Sequence, residues 1–402
     1  MTILAFGAAR RSDPPPVEPL AQRVARVAAV AAAHAVGVDS DGRFPAEAVA
    51  ALKAERLLGV MVPPELGGEG ATATATATAE LCYALGRACS STAMIFAMHQ
   101  VKVACVVRHG RGQPWQDGVL ARLADEQMLW ASSTTEGAGG GDVRSSEAAV
   151  QRLNGRIVLD RDASVISYGA QADAIVTTAR RAADSAASDQ VLVVVLREDC
   201  VLEQTGGWDT LGMRGTCSVG FRLHATGLED QVLAEPYEAI HTRTMVPAAH
   251  LFWTAVWAGI AAEAVERARR HVRRGARKSP QPSPSAVHFT RAAGRLRQLR
   301  ALVSHWCARF EAAADDPDAL TSVEFQTGVH MLKVDGSELA VAVVLDAMRA
   351  CGLSGYRNDG EASVARQLRD VMSAPFMIGN DRILAGFGPS AMLTETPFTL
   401  RD

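Results

Sequence analysis

Three small hydroxylated residues, Ser132, Ser133 and Thr134, stand ahead of Thr135, Glu136 and a Gly-rich turn ending in Gly139-Gly140-Gly141-Asp142. Hydroxyls beside bare backbone suit a flat, polar-edged heterocycle. Glycine has no Cβ, so main-chain N–H groups can approach ring carbonyls and phosphates. The same residues would also make a surface loop of small side chains. Just beyond, Arg156 to Asp173 (RIVLDRDASVISYGAQAD) alternates apolar and polar residues, which predicts two short strands closed by a turn at Tyr168-Gly169.

The rest of the chain must hold that stretch in place. Its 402 residues suffice for two or three domains with a sizeable core. Aromatics are only 5% and alanine is abundant, which favours helices packed through small residues over a β-sandwich. A formal charge of −3 gives no reason to propose nucleic-acid binding or attachment to an anionic membrane. Seven scattered cysteines form no CxxC pair, and no histidine stands at metal-ligand spacing, so buried thiols and no metal are expected. The N-terminus lacks a basic lead and a long apolar run, and no segment reads as a bilayer span. A soluble cytoplasmic protein is the expectation.

Along the chain, residues 1–16 read as a flexible lead closed by Pro14-Pro15-Pro16. Helical spacing predicts helices over Val17–Val36 and from Pro45 to Leu57, then a loop at Pro63-Pro64 and Gly67-Gly68. TATATATA (Thr72 to Ala79) alternates like a strand, yet its alanines and the sequel AELCYALGRACSSTAMIF favour the start of a long helix, with helix, as one or two in succession, continuing to His109. A further helix covers Gln116 to Glu126. Gln190 to Arg197 is an apolar run of strand length, and Phe221 to Leu228 is another candidate. After Pro236 the pattern is helical: Thr242–Arg274, Val287–Ala314, Leu320–Ala350, and a last helix after Gly360 that breaks near Pro375. The predicted domains are thus 17–126 (helical), 127–235 (β) and 236–402 (helical).

Six stretches resemble the acyl-CoA dehydrogenase family of flavoproteins, in the family's order from about 58 to 384. LLGVMVPPELGGEG is similar to its loop after the early helices and CSSTAMIFAMHQ to its next helix. TTEGAGGGD resembles TEPGAGSD, and VISYGAQAD resembles WITNGxxAD. GWDTLGMRGTCSV resembles the LGxRG segment and SAPFMIGNDRIL the closing EGTNxI segment. The resemblance implies an N-terminal helical domain, a middle β-barrel and a C-terminal four-helix bundle in a mainly α, α+β fold. It also implies a homo-oligomer, dimer or tetramer, with FAD at subunit contacts.

Residue by residue, the resemblance puts Thr134 and Thr135 on the flavin pyrimidine edge, with Ser132, Gly140 and Gly141 beside them. Val165 replaces the ring-packing Trp, and Ser167 replaces the hydroxyl near flavin N5. Gly141 stands where the family often has Ser. Asn380 matches the Asn of the closing segment and is counted with the cofactor-binding residues. At the adenosine end RGARKS replaces ERxxFG, leaving Arg274 and Arg277 to meet the pyrophosphate. Arg349, in place of a Gln, either neutralises a phosphate from a neighbouring subunit or pairs with a local acid.

The catalytic positions depart from the family. Its dehydrogenases remove an α-proton with a Glu while hydride leaves for flavin N5. That Glu position holds Ile378, and the alternative position on the first long C-terminal helix holds Ala249. Remaining base candidates are His250, otherwise structural, and Asp381, otherwise a cap or a partner of Arg382. Glu136 is expected to hold its turn and His99 to be a packed wall residue.

Three functions follow as expectations. The first is an FAD-dependent dehydrogenase of an acyl thioester, on CoA or a carrier protein, with a relocated base and an electron-transfer flavoprotein as acceptor. The second is a monooxygenase on the same scaffold, using O2 and flavin reduced by a flavin reductase. The third is a non-catalytic flavin-binding descendant.

Overall fold

A computed structural model of the protein describes residues 18–70, 74–136, 143–278, 281 and 283–393. The expected lead 1–16, Gly140 and Gly141 lie outside the described residues. Five helices come first: α1 (Leu20–Asp41), α2 (Ala46–Ala54), α3 (Ala75–Ala88), α4 (Ser90–His109) and α5 (Pro114–Glu126). Seven strands follow: β1 (Trp130–Ser133), β2 (Gln151–Leu153), β3 (Arg156–Ile166), β4 (Ala174–Arg180), β5 (Gln190–Leu196), β6 (Cys200–Gln204) and β7 (Val219–Leu228). The chain then returns to helix in α6 (Tyr237–Ile240), α7 (Val246–Lys278), α8 (Ala286–Ala313), α9 (Pro317–Thr321) and α10 (Val323–Cys351). It ends in α11 (Leu353–Tyr356), α12 (Ala365–Val371) and α13 (Asn380–Ala391).

Local chemistry explains most boundaries. From Ala75 on the threonine–alanine repeat is helix, and Thr74 caps it, its hydroxyl accepting from Ala77 N at 3.2 Å. The first helix starts at Leu20 and runs five residues past the expected Val36, to Asp41, where Gly42 takes the left-handed conformation. Helix α7 crosses α3 with backbones touching at Gly86 and Gly259. A Cβ on Gly259 would sit 2.3 Å from the Tyr83 carbonyl, so only glycine allows that approach.

The middle domain is built of two sheets, β1-β4-β5 and β2-β3-β7-β6. In the first sheet β1 runs parallel to β4 and is an edge strand. Strands β4 and β5 are buried on both faces. Val176, Leu192 and Val194 pack with Val106, Leu120 and Tyr237 of the helices, whereas Ile175, Val193 and Val195 join the main core. Burial on both sides is why β5 reads as a continuous apolar run.

Two expectations are corrected. Arg156–Asp173 is not a hairpin: β3 stays in one sheet while the strand after the turn, β4, belongs to the other. Tyr168 (φ 45°) makes the crossover, its buried hydroxyl donating to Trp130 O at 3.0 Å. Two segments, Ser90–His109 and Tyr237–Lys278, are long and apolar enough to cross a membrane, contrary to the sequence reading. In each the apolar window is 94% buried inside the fold, so both are core helices. All seven cysteines are free, and Cys82, Cys89, Cys105, Cys307 and Cys351 are buried.

Candidate active site

The cradle begins with β1 as an edge strand. Asp173 N donates to Leu129 O on the β4 side. Trp130 faces the other way, its N–H donating to His99 Nδ1 at 2.9 Å and its carbonyl accepting from Tyr168. Backbone groups alternate along a strand, so Ser132 also presents N–H and C=O on the open edge, and Thr134 follows just past the strand's end. Their side chains and that of Thr135 are half-buried. His99 fixes this arrangement. Its Nδ1 accepts, its Nε2–H donates to Leu58 O at 2.8 Å, and burial pushes its pKa down to about 4, so it is a neutral strut.

Glu136 does hold its turn. Its carboxylate accepts from Ser146 Oγ and Glu147 N, both at 2.6 Å, and pairs with Arg161 at 2.7 Å. Both partners are buried, and Arg161 also donates to Thr178 O. This fixes where the chain leaves β1 and re-enters after the Gly-rich turn. The end of β3 lies alongside: Ser164 Oγ bonds Thr135 Oγ1 at 3.3 Å, and Ala163 bridges Glu136. A bulge between Ala163 and Ile166 turns Ser164 and Val165 outward together, leaving Val165 39% exposed. Gly220 stands opposite the bulge, where a Cβ would lie 3.0 Å from Ser164 O. Next to the bulge, Ser167 Oγ is 2.7 Å from Ser218 Oγ, itself 2.8 Å from Thr216 Oγ1.

This set fits a flavin ring. Open-edge main-chain donors and acceptors, half-buried hydroxyls and one outward apolar side chain match a planar heterocycle with a polar rim and an apolar face. The buried Ser133 Oγ has no partner among the described residues.

In the helical bundle, α7, α10 and α13 enclose a second polar group. His250, on α7, is buried and its Nδ1–H donates to Val329 O at 3.1 Å. Its ring lies 5.0 Å from that of His330, whose Nδ1–H donates to Gln326 O at 2.7 Å. Burial holds both imidazoles neutral: His250 falls well below its usual value and His330 to about 4, with Arg144, just past the Gly-rich turn, adding to the latter. One turn along α10, Lys333 is buried and pushed down to about 8 by desolvation. Its Nζ donates to Asn380 Oδ1 at 2.7 Å, and Asn380 Nδ2 donates to Ser337 Oγ at 3.0 Å. Asn380 is therefore engaged within the bundle. Ala249 is buried, and Ile378 sits at φ 57° on the loop before α13, an unusual conformation for a β-branched residue. Asp381 is exposed in the first turn of α13.

Ser132, Thr134, Thr135, Val165 and Ser167 are thus gathered at one place, and His250 and Asn380 at another, near enough to Arg144 for its charge to act on His330. The remaining candidates stand apart. Arg274 pairs with Glu361, and it lies about 36 Å along α7 from His250 at 1.5 Å per residue. Arg277 is exposed near the end of α7. Arg349 has the local acid, Asp346 at 3.7 Å, and Asp346 also binds Arg295. Sequence reasoning missed Ser218, Thr216, His330 and Lys333. The His330–Lys333 spacing of one helical turn was a visible signal; the cross-strand Ser167–Ser218 contact had none.

Residues 18–126 match the N-terminal domain and residues 247–389 the C-terminal domain of acyl-CoA dehydrogenases. The chain belongs to the acyl-CoA dehydrogenase family. The two matches flank the sheet domain and take in well over half the chain. Cyclohex-1-ene-1-carbonyl-CoA dehydrogenase of Geobacter metallireducens is 25% identical over 88% of this chain and 91% of its own. L-evernosamine nitrososynthase of a Micromonospora species is 29% identical over 90% and 85%. Among solved structures, FMN-bound TdsC from Paenibacillus sp. A11-2 superposes with a TM-score of 0.81 at 17% identity, over 94% of this chain and 98% of that one. A nitrososynthase from Micromonospora carbonacea var. africana gives 0.79 at 22%, over 95% and 98%. These likenesses establish the fold, and flavin-dependent redox chemistry fits the family.

Proposed function

We propose that the protein is a flavin-dependent monooxygenase that takes its flavin reduced, from a separate reductase, and oxygenates a substrate with a nitrogen, sulfur or aromatic centre. The flavin, when bound, supplies two electrons, so that one oxygen atom of O2 enters the substrate and the other leaves as water. One observation carries the reading: the two positions that hold the α-proton base in the family's dehydrogenases are Ala249 and Ile378, and beside Ala249 the buried His250 and its neighbour His330 are held neutral, while Glu338, 3.4 Å from Asn380 Nδ2, lies on the exposed side of α10. A dehydrogenase needs that carboxylate; a monooxygenase does not. The nitrososynthase relative supports the same reading, and TdsC, a dibenzothiophene monooxygenase, shares the fold.

In this reading Ser132, Thr134 and Thr135 hold the ring edge, Val165 leaves room above it, and Ser167 meets the edge where electrons arrive. His250 and His330, each with Nδ1–H committed to a helix carbonyl, are neutral tautomers whose Nε2 can accept a hydrogen bond from a substrate N–H or O–H. We assign FMN in preference to FAD, because Arg274 and Arg349 already face Glu361 and Asp346. Exposed Leu353, Tyr356 and Phe376 on the C-terminal bundle suit a homo-oligomer.

The test supplies reduced FMN through a flavin reductase with O2 and a panel of amino sugars, indoles and aromatic sulfur heterocycles. A product heavier by one oxygen, absent without reductase, is expected. Equal turnover without O2 would contradict the proposal.

A further inference from the structure

The hydroxyls of Ser167, Ser218 and Thr216 form a chain whose proton direction can be worked out. Thr216 Oγ1 lies 2.8 Å from the Met213 carbonyl. Two oxygens that close repel unless a proton lies between them, and a carbonyl has none to give, so Thr216 must donate. A threonine hydroxyl has one proton. At the 2.8 Å contact between Thr216 and Ser218, therefore, Ser218 is the donor. Ser218 has then spent its own proton, and at the 2.7 Å contact with Ser167 the donor is Ser167. Each bond polarises the next, so the chain reinforces its own direction.

The inner members are locked in place. Ser218 and Thr216 are buried, and Tyr168 N donates to Thr216 O at 2.8 Å. Met213 N donates to the buried Asp370 at 2.8 Å. Ser167 is half-buried at the mouth of the cradle and has sent its proton inward. What it offers outward is a lone pair.

We infer that Ser167 is a redox-state selector: it accepts a hydrogen bond from the reduced flavin ring and has none to give to the oxidised ring. This rests on the proposed placement of the flavin against β1 and β3. Free flavin N5 is an acceptor when oxidised and carries a proton when two-electron reduced. A lone-pair-only neighbour therefore favours the reduced form, which suits a protein that receives its flavin already reduced. Residues Ser218 and Thr216 act through Ser167 and are positioning residues.

The experiment compares binding of oxidised and reduced FMN, under anaerobic conditions, to wild type, Ser218→Ala and Thr216→Val, together with the midpoint potential of the bound flavin. Wild type should bind reduced FMN more tightly than oxidised. Ser218→Ala frees the Ser167 proton to point outward. Thr216→Val lets Ser218 donate to Ser167, with the same result. In both variants oxidised FMN should bind more tightly, and the preference for reduced flavin should fall about tenfold, the worth of one hydrogen bond. Tenfold corresponds to about 30 mV lower potential for a two-electron couple. Ser167→Ala should weaken reduced FMN without the gain for oxidised FMN. An unchanged preference in both relay variants, with flavin bound, overturns the selector. Wild type that binds FMN in neither state overturns the flavin site itself, a separate outcome.

Discussion

The cradle and the polar group inside the bundle are built on contrasting principles. In the cradle the polar groups are left over: β1 is an edge strand, and among the described residues no strand pairs with Ser132 on its open side. In the bundle they are used up. His250 and His330 each donate to a helix carbonyl, and Lys333, Ser337 and Asn380 satisfy one another. A ligand can be recognised by the first kind of surface, while the second sets the protonation states of its own groups. The difference teaches where the proposed division of labour comes from: open polar groups in the cradle can take a ligand, while in the bundle Ala249 and Ile378 stand at the family's two base positions beside neutral imidazoles.

The sharpest way to break the cradle is through its buried ion pair. Glu136→Ala strands Arg161 in the interior and should cost about 3–5 kcal/mol, with flavin binding lost as the turn loosens. Chemical denaturation and flavin titration report both; a loss under 1 kcal/mol would show the turn to be held by other contacts.

The bundle should respond to acid. Its imidazoles are depressed on folding, so the unfolded chain binds more protons between the ordinary histidine value of 6.5 and about 4. Stability is therefore full above pH 6.5 and falls as pH drops through that window. Replacing His330 by Asn should flatten part of the fall relative to wild type, measured as unfolding free energy against pH; parallel curves would mean His330 is not the group that titrates.

Smaller effects sharpen the contrast. Ile378 pays for its positive φ with strain, and Ile378→Asn should stabilise the protein by about 1 kcal/mol, since Asn adopts that conformation more readily. Destabilisation in thermal unfolding would show that its side chain contributes more than the strain costs. Thr134→Val keeps the shape but removes the hydroxyl. It should weaken flavin binding by about 1 kcal/mol, or about fivefold, with the melting temperature unmoved.

The same contrast governed what could be read from the sequence. Helix α3 was legible because alanine content and the Thr74 cap agree, and β5 because burial on both faces leaves an unbroken apolar run. The crossover at Tyr168 was not, since a Tyr-Gly pair signals a turn without saying which sheet the next strand joins. The cradle residues were visible because they lie in two contiguous stretches. The relay was hidden because Ser218 meets Ser167 across 51 residues of chain, a separation no local pattern encodes. Nor could spacing tell that Asn380 is committed to Lys333, which needs three helices to be placed first.

The central claim, a flavin site without dehydrogenase chemistry, is tested most directly by mixing the oxidised flavin-loaded protein anaerobically with a series of acyl-CoA thioesters and following the flavin absorbance. The account expects no bleaching with any chain length, while the same sample reduced chemically reoxidises on admitting O2. Rapid bleaching by an acyl-CoA would contradict it and return the protein to the dehydrogenases, with its base still to be found.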